Sequence, residues 1–218
     1  MIEYTLTRSN RKTLGLYIRN GALEVRAPLL LPTADIEAFV YSKQKWINNK
    51  LSLLPKRTTL PLDYGQIIPY LGKEYPIVAK AGGYAGFMQD SFYMPPDCTP
   101  KQIKDACIKI YRLLAKRHIT SRVQYFAAQM GVSPASIKIN SAKTRWGSCS
   151  SKGNVNFSWR ILMADSDIID YVVVHELAHL TQMNHSPKFW AIVEDVLPDY
   201  KQRKKQLKEF GQILRHNL

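Results

Sequence analysis

The chain is short of cysteine, of acidic residues and of long apolar runs, and each shortage excludes something. Only three cysteines occur, Cys98, Cys107 and Cys149. An odd number with no C-x-x-C pair gives neither a disulfide framework nor a thiolate zinc knuckle. Cys98 and Cys107 are read as structural. No apolar stretch reaches the roughly 18 residues of a membrane span, and the longest, from Ile168 to Val174, is interrupted by Asp170. The first residues, Met1 to Leu6, lack the basic start and apolar core of a signal peptide. These absences point to a cytoplasmic protein with no membrane partner. Internal repeats, low-complexity segments and a Walker-type phosphate loop are also missing. Asp and Glu together number 17 against 31 Lys and Arg, a formal net charge of +14. That excess draws acidic partners such as nucleic acid, nucleotides or an acidic protein. No nucleic-acid reader motif accompanies it, so binding of nucleic acid rests on charge alone.

What is present divides by texture into an α+β chain. Residues 1–97 read as a mixed, strand-rich part. Alternating runs at Glu3–Thr7, Leu14–Ile18 and Leu23–Ala27 predict strands, with Asn20-Gly21 as a hairpin signal between the last two. From Thr33, an N-cap candidate, to about Leu53 the chain mostly keeps helical spacing through Ile36, Phe39, Val40, Trp46, Ile47 and Leu51. Further strands are expected at 67–70, 75–79 and 91–94, before the break at Pro95-Pro96. Residues 98–218 read as the catalytic domain: a long backing helix, a small antiparallel sheet and a motif-bearing helix. The long helix opens with Thr99-Pro100-Lys101-Gln102, a capping box, and stops at Gly131. Strands follow at 136–140 and 154–162 around a turn at 150–153, and Asp165 or Ser166 caps the next helix.

Three of the five histidines fall between positions 175 and 185. His175 and His179 are four apart, so on a helix both rings reach one face. Zinc accepts imidazole nitrogen at about 2.0–2.1 Å, and a catalytic site needs three protein ligands with one position left open. Glu176 stands beside the pair, placed to take a proton from water at the metal rather than to bind the metal. This is the H-E-x-x-H arrangement of zinc hydrolases. His185 is the expected third ligand. Asn184 in a left-handed conformation would turn the chain back toward the pair, and Ser186-Pro187 would start the next helix. Glu194 on that helix is the competing third ligand. Ile168, Ile169, Val172 and Val173 give the motif helix a face to bury, which speaks against a chance H-E-x-x-H. His118, on a charged helix, and His216, near the C-terminus, are not offered as ligands.

Three segments together, Thr144-Arg145-Trp146-Gly147-Ser148-Cys149-Ser150, Val174-His175-Glu176-Leu177-Ala178-His179-Leu180 and Asn184-His185-Ser186-Pro187-Lys188-Phe189-Trp190, resemble the YgjP-type family of metal-dependent hydrolases. These are compact zincins related to the SprT-like and WLM metallopeptidases. Arg11–Leu14, Val25–Pro28 and Leu71–Tyr75 carry the likeness into the N-terminal part. The resemblance implies a zincin-like domain, zinc held by His175, His179 and His185, and Glu176 as catalytic acid/base. It transfers the substrate less tightly, because the family carries both a metallopeptidase and a nucleotide-pyrophosphatase label. Gln182 stands where the metzincin pattern needs glycine, so the chain is not assigned there.

Arg145 to Ser150 has two readings. As an edge strand roofing the metal cleft it would offer free backbone to an extended peptide, with Arg145 stabilising an oxyanion or binding a phosphate. As plain structure, Arg145 makes a salt bridge, Trp146 anchors the core, Gly147 permits close packing and Cys149 is a small buried residue. The basic run at Lys201–Lys205 reads as a solvated helix face. Three functions follow. The leading one is a zinc metallopeptidase acting on peptide or protein. The second is a metal-dependent nucleoside triphosphate pyrophosphatase. The third is a nucleic-acid-associated protease acting on DNA-bound proteins.

Overall fold

The computed structural model describes residues 2–19, 22–52 and 61–214. Asn20-Gly21, Leu53 and His216 lie outside them. Two compact units are present, one within residues 1–59 and one within 60–218.

The first unit holds strands β1 (Tyr4–Ser9), β2 (Gly15–Arg19) and β3 (Ala22–Pro28) and helices α1 (Thr33–Ser42) and α2 (Gln44–Ser52). β3 is central, parallel to β1 and antiparallel to β2. Its alternation buries Leu23, Val25 and Ala27, which share a core with Ile36, Val40 and Ile47. The single helix expected to about Leu53 is two helices parted at Lys43. The Ser42 hydroxyl donates to the Phe39 carbonyl at 2.8 Å, a local bond that competes with the helix ladder. Thr33 does not cap α1. Pro32 holds that position, and the Thr33 hydroxyl accepts from Arg8 instead.

The second unit begins with β4 (Ile67–Tyr70), β5 (Lys73–Ala79), β6 (Gly86–Met88) and β7 (Ser91–Met94). They form a sheet in the order β4-β5-β7-β6. Leu71 and Gly72, at φ 50° and 74°, make the tight turn from β4 to β5. A Cβ on Gly72 would stand 1.7 Å from the Asp165 carboxylate, so only glycine fits there.

The long helix α3 (Pro100–Met130) has the expected capping box at Thr99 and ends at Gly131 in the left-handed conformation. Ile68, Ile77, Phe92 and Met94 share one core with Ile103, Cys107 and Tyr111 of α3, and the Tyr111 hydroxyl donates to the Pro69 carbonyl. This packing runs across the expected boundary at 97/98. The strands from 67 to 94 belong with α3, because apolar faces this small are stable only when buried against another element.

A second sheet holds β8 (Ser136–Asn140), β9 (Gly147–Cys149) and β10 (Asn154–Ser158). It is mixed, not antiparallel as expected. β10 lies between the others, antiparallel to β9 through a tight turn and parallel to β8. The predicted strand to Leu162 stops at Ser158, and Trp159–Met163 is a 3-10 turn buried throughout.

Helix α4 (Ser166–Ala178) is preceded by Asp165 and buried on nearly every side. Its interior asks for apolar residues all round, and Ile168, Ile169, Val172 and Val173 supply them. Asp170, the one charge in that run, is gripped by Arg122 of α3 through two bonds of 2.6 and 2.8 Å. Helices α5 (Pro187–Val196) and α6 (Tyr200–Leu214) complete the unit. Among the described residues, no helix is long and apolar enough to cross a membrane.

Candidate metal centre

Helix α4 delivers His175 and Glu176 at its last turn, and His179 is its C-terminal cap. The chain then turns within six residues to reach α5, and His185 sits in that turn. Asn184 does not take the left-handed conformation expected of it. Its side-chain oxygen instead accepts from the Ser186 N–H at 3.2 Å and from Gln182 at 2.8 Å, so a side-chain bond makes the turn.

The three imidazoles converge. One ligand nitrogen from each of His175, His179 and His185 lies within 4.8 Å of the others. The Nε2 atoms of His175 and His185 are 3.1 Å apart. Nitrogens bound at 2.0–2.1 Å to one tetrahedral ion stand about 3.3–3.4 Å from each other, so this spacing fits a single ion. The rings are ready to donate lone pairs. Burial, reinforced by the neighbouring histidines, pushes His175 down to about 3, and burial also lowers His179. Both shifts favour the neutral ring, the form that ligation requires. His179 Nδ1 meets the Gln182 carbonyl at 3.2 Å, which leaves Nε2 free to face the cluster.

Two aromatic residues that sequence reasoning left without a role hold this geometry. The fully buried Phe189 has its ring centroid 4.9, 4.6 and 4.8 Å from those of His175, His179 and His185. Trp190 stacks on His185 at 5.7 Å, on Tyr200 at 5.4 Å, and carries the Lys204 ammonium 4.0 Å from its centroid. A sequence signal existed: Phe189 and Val193 are four apart on one helix, and both are fully buried.

Glu176 is only 6 % exposed. Burial raises its carboxyl to about 7, opposed by the nearby Arg145 charge. Above it lies Gly147 of β9. A Cβ at that position would meet Glu176 Cγ and Oε1 at 2.6 Å, so the strand passes directly over the carboxylate. β9 pairs with β10 on one side only, which leaves its other edge open among the described residues.

Arg145 is exposed just before β9 and, among the described residues, makes no salt bridge. Trp146 is a structural anchor, its ring 5.3 Å from Phe210. Cys149 is half-buried and outside the histidine cluster, its thiol directed at the Ser150 carbonyl. Glu194 does not join the histidines: it is exposed and pairs with Lys201 at 3.3 Å. His118 is half-buried on α3, its pKa lowered by burial, and lies outside the cluster. The basic run at 201–205 lies on α6, where Arg203 pairs with Asp199 at 2.8 Å.

A family model described as YgjP-like, metallopeptidase domain, matches residues 12–210. Among solved structures, the zymogen of the metallopeptidase abylysin from Pyrococcus abyssi is similar, at 23 % identity and a TM-score of 0.40, over 46 % of this chain and 98 % of that one. The zymogen of jannalysin from Methanocaldococcus jannaschii is similar at 20 % identity and a TM-score of 0.38, over 44 % of this chain and 97 % of that one. Comparison with curated proteins gives no match.

Proposed function

The chain belongs to the YgjP-like metallopeptidase family, and from that premise we propose a zinc-dependent peptidase with a zincin-like catalytic unit. His175, His179 and His185 hold the ion, and Glu176 is the general acid/base. The observation that carries this reading is the convergence of three imidazole nitrogens within 4.8 Å, beside a buried carboxylate. Three nitrogen donors with one position left open suit a catalytic zinc.

Bound zinc supplies Lewis acidity, which acidifies water and polarises a substrate carbonyl. The protein's own groups do the rest. Phe189 and the Gln182 carbonyl fix the imidazole planes, so the donors stay aimed at one point. Glu176, raised to about 7, takes a proton at its carboxylate near neutral pH and returns it to the departing nitrogen. The open edge of β9 offers backbone donors and acceptors to an extended substrate, which brings the scissile carbonyl alongside Glu176. Arg145, free of any salt bridge among the described residues, stabilises the developing oxyanion. In this reading the enzyme works in the cytoplasm, where its three unpaired thiols stay reduced.

The deciding experiment gives zinc-loaded protein an unfolded protein and, separately, a panel of nucleoside triphosphates. New peptides, lost in the Glu176→Gln variant, are expected. Pyrophosphate release without new peptides would overturn the peptidase assignment.

A further inference from the structure

The three-stranded sheet has a second open edge, away from β9. β8 pairs with β10 alone, so among the described residues the outer side of Ser136–Asn140 is unpaired. Beside it runs a groove of about 680 Å³ between β8 and α3. Its apolar lining is Ile137 and Ile139 of β8 with Ile108 and Leu113 of α3. Leu113 is 72 % exposed, an unusual cost for a leucine on a helix otherwise well packed. Lys109, Arg112 and Lys116 also line the groove, spaced three and four apart along one flank of α3. All three are exposed, and among the described residues none makes an ion pair. The single carboxylate lining the groove is Asp105.

We propose that this groove binds an extended, acidic protein segment with interspersed apolar residues, which adds as a strand to the free edge of β8. Three observations select that occupant. An open strand edge pairs with extended backbone and gives a helix nothing to bond. Ile137, Ile139, Ile108 and Leu113 offer apolar contact to alternate side chains of an added strand. Three cations against one carboxylate favour an acidic sequence over a neutral or basic one. Nucleic acid would use the cations but leave the leucine and isoleucines in water, and it cannot continue the strand ladder. The surface is built from residues outside the histidine cluster, so it stands whether or not the zinc reading holds.

The test uses the full chain and a fluorescein-labelled peptide of alternating glutamate and valine, followed by anisotropy. A lysine–valine counterpart and an oligothymidylate of equal charge serve as comparison probes. The acidic peptide should bind at least about tenfold tighter than either, and its affinity should fall with salt. The R112E/K116E variant should lose about tenfold or more in affinity while its Tm stays within a few degrees, since both positions are exposed. Leu113→Glu should weaken binding as well. Amide exchange within residues 136–140 should slow in the complex. Equal or tighter binding of the oligothymidylate, an unchanged affinity in R112E/K116E, or unprotected β8 amides would each overturn the proposal.

Discussion

The two edges of one small sheet are built differently. β9 is three residues long, carries glycine where it crosses Glu176, and packs against the helix that brings His175 and Glu176. β8 is five residues long, floored by isoleucines and flanked by three lysine and arginine side chains. Both offer the same open backbone. What differs is the helix beneath each: α4 is buried and brings a carboxylate and histidines, whereas α3 exposes a row of cations beside the groove. In the two proposed roles, an edge strand gives direction to a bound chain, and the helix below decides whether the chain is cut or merely held.

Four outcomes would break or sharpen that contrast. The largest effect is expected from Glu176→Gln, which should cost about 10²–10⁴ in kcat while zinc content, measured by elemental analysis, stays at one per chain. Retained turnover would remove Glu176 from the chemistry. His185→Ala should come next. Loss of one of three ligands should leave zinc readily stripped by a chelator that the parent protein resists, together with the Tm increment that zinc gives. If zinc binding is unchanged in that variant, another group is the third ligand.

Gly147→Ala tests the crossing itself. The backbone of β9 cannot yield easily, but the end of a glutamate side chain can, so the added methyl should push the carboxylate aside. The expected result is a kcat lower by about 10–100-fold with KM, zinc content and Tm nearly kept. A fall in Tm with kcat intact would make Gly147 a packing residue only. The smallest effect is reserved for R112E/K116E on a short neutral peptide, where kcat/KM should stay within about twofold because these positions lie outside the histidine cluster. A large loss there would mean that the two edges are not separate in function.

Much of the candidate site could be read from residue order. His175 and His179 come together because residues four apart on a helix share a face, and Glu176 follows the first of them. His185 was expected nearby because a Ser-Pro helix start follows it directly. The capping box at Thr99 and the left-handed Gly131 likewise bounded α3, since both signals act over four residues or fewer. Other features were not legible. The left-handed Asn184 was replaced by its own side-chain bonds, an equally local but different solution. The break at Lys43 lies beside a serine back-bond that helix periodicity does not register.

Local rules determined the elements and the histidine spacing of this protein, because helix repeat, caps and turns depend on residues a few positions apart. Only the tertiary structure decided the rest. It set β8 parallel to β10, joined residues 67–94 to α3, put Phe189 beneath all three histidines and laid Gly147 on Glu176. Those contacts join residues distant in sequence, and close packing selects them over the whole domain at once.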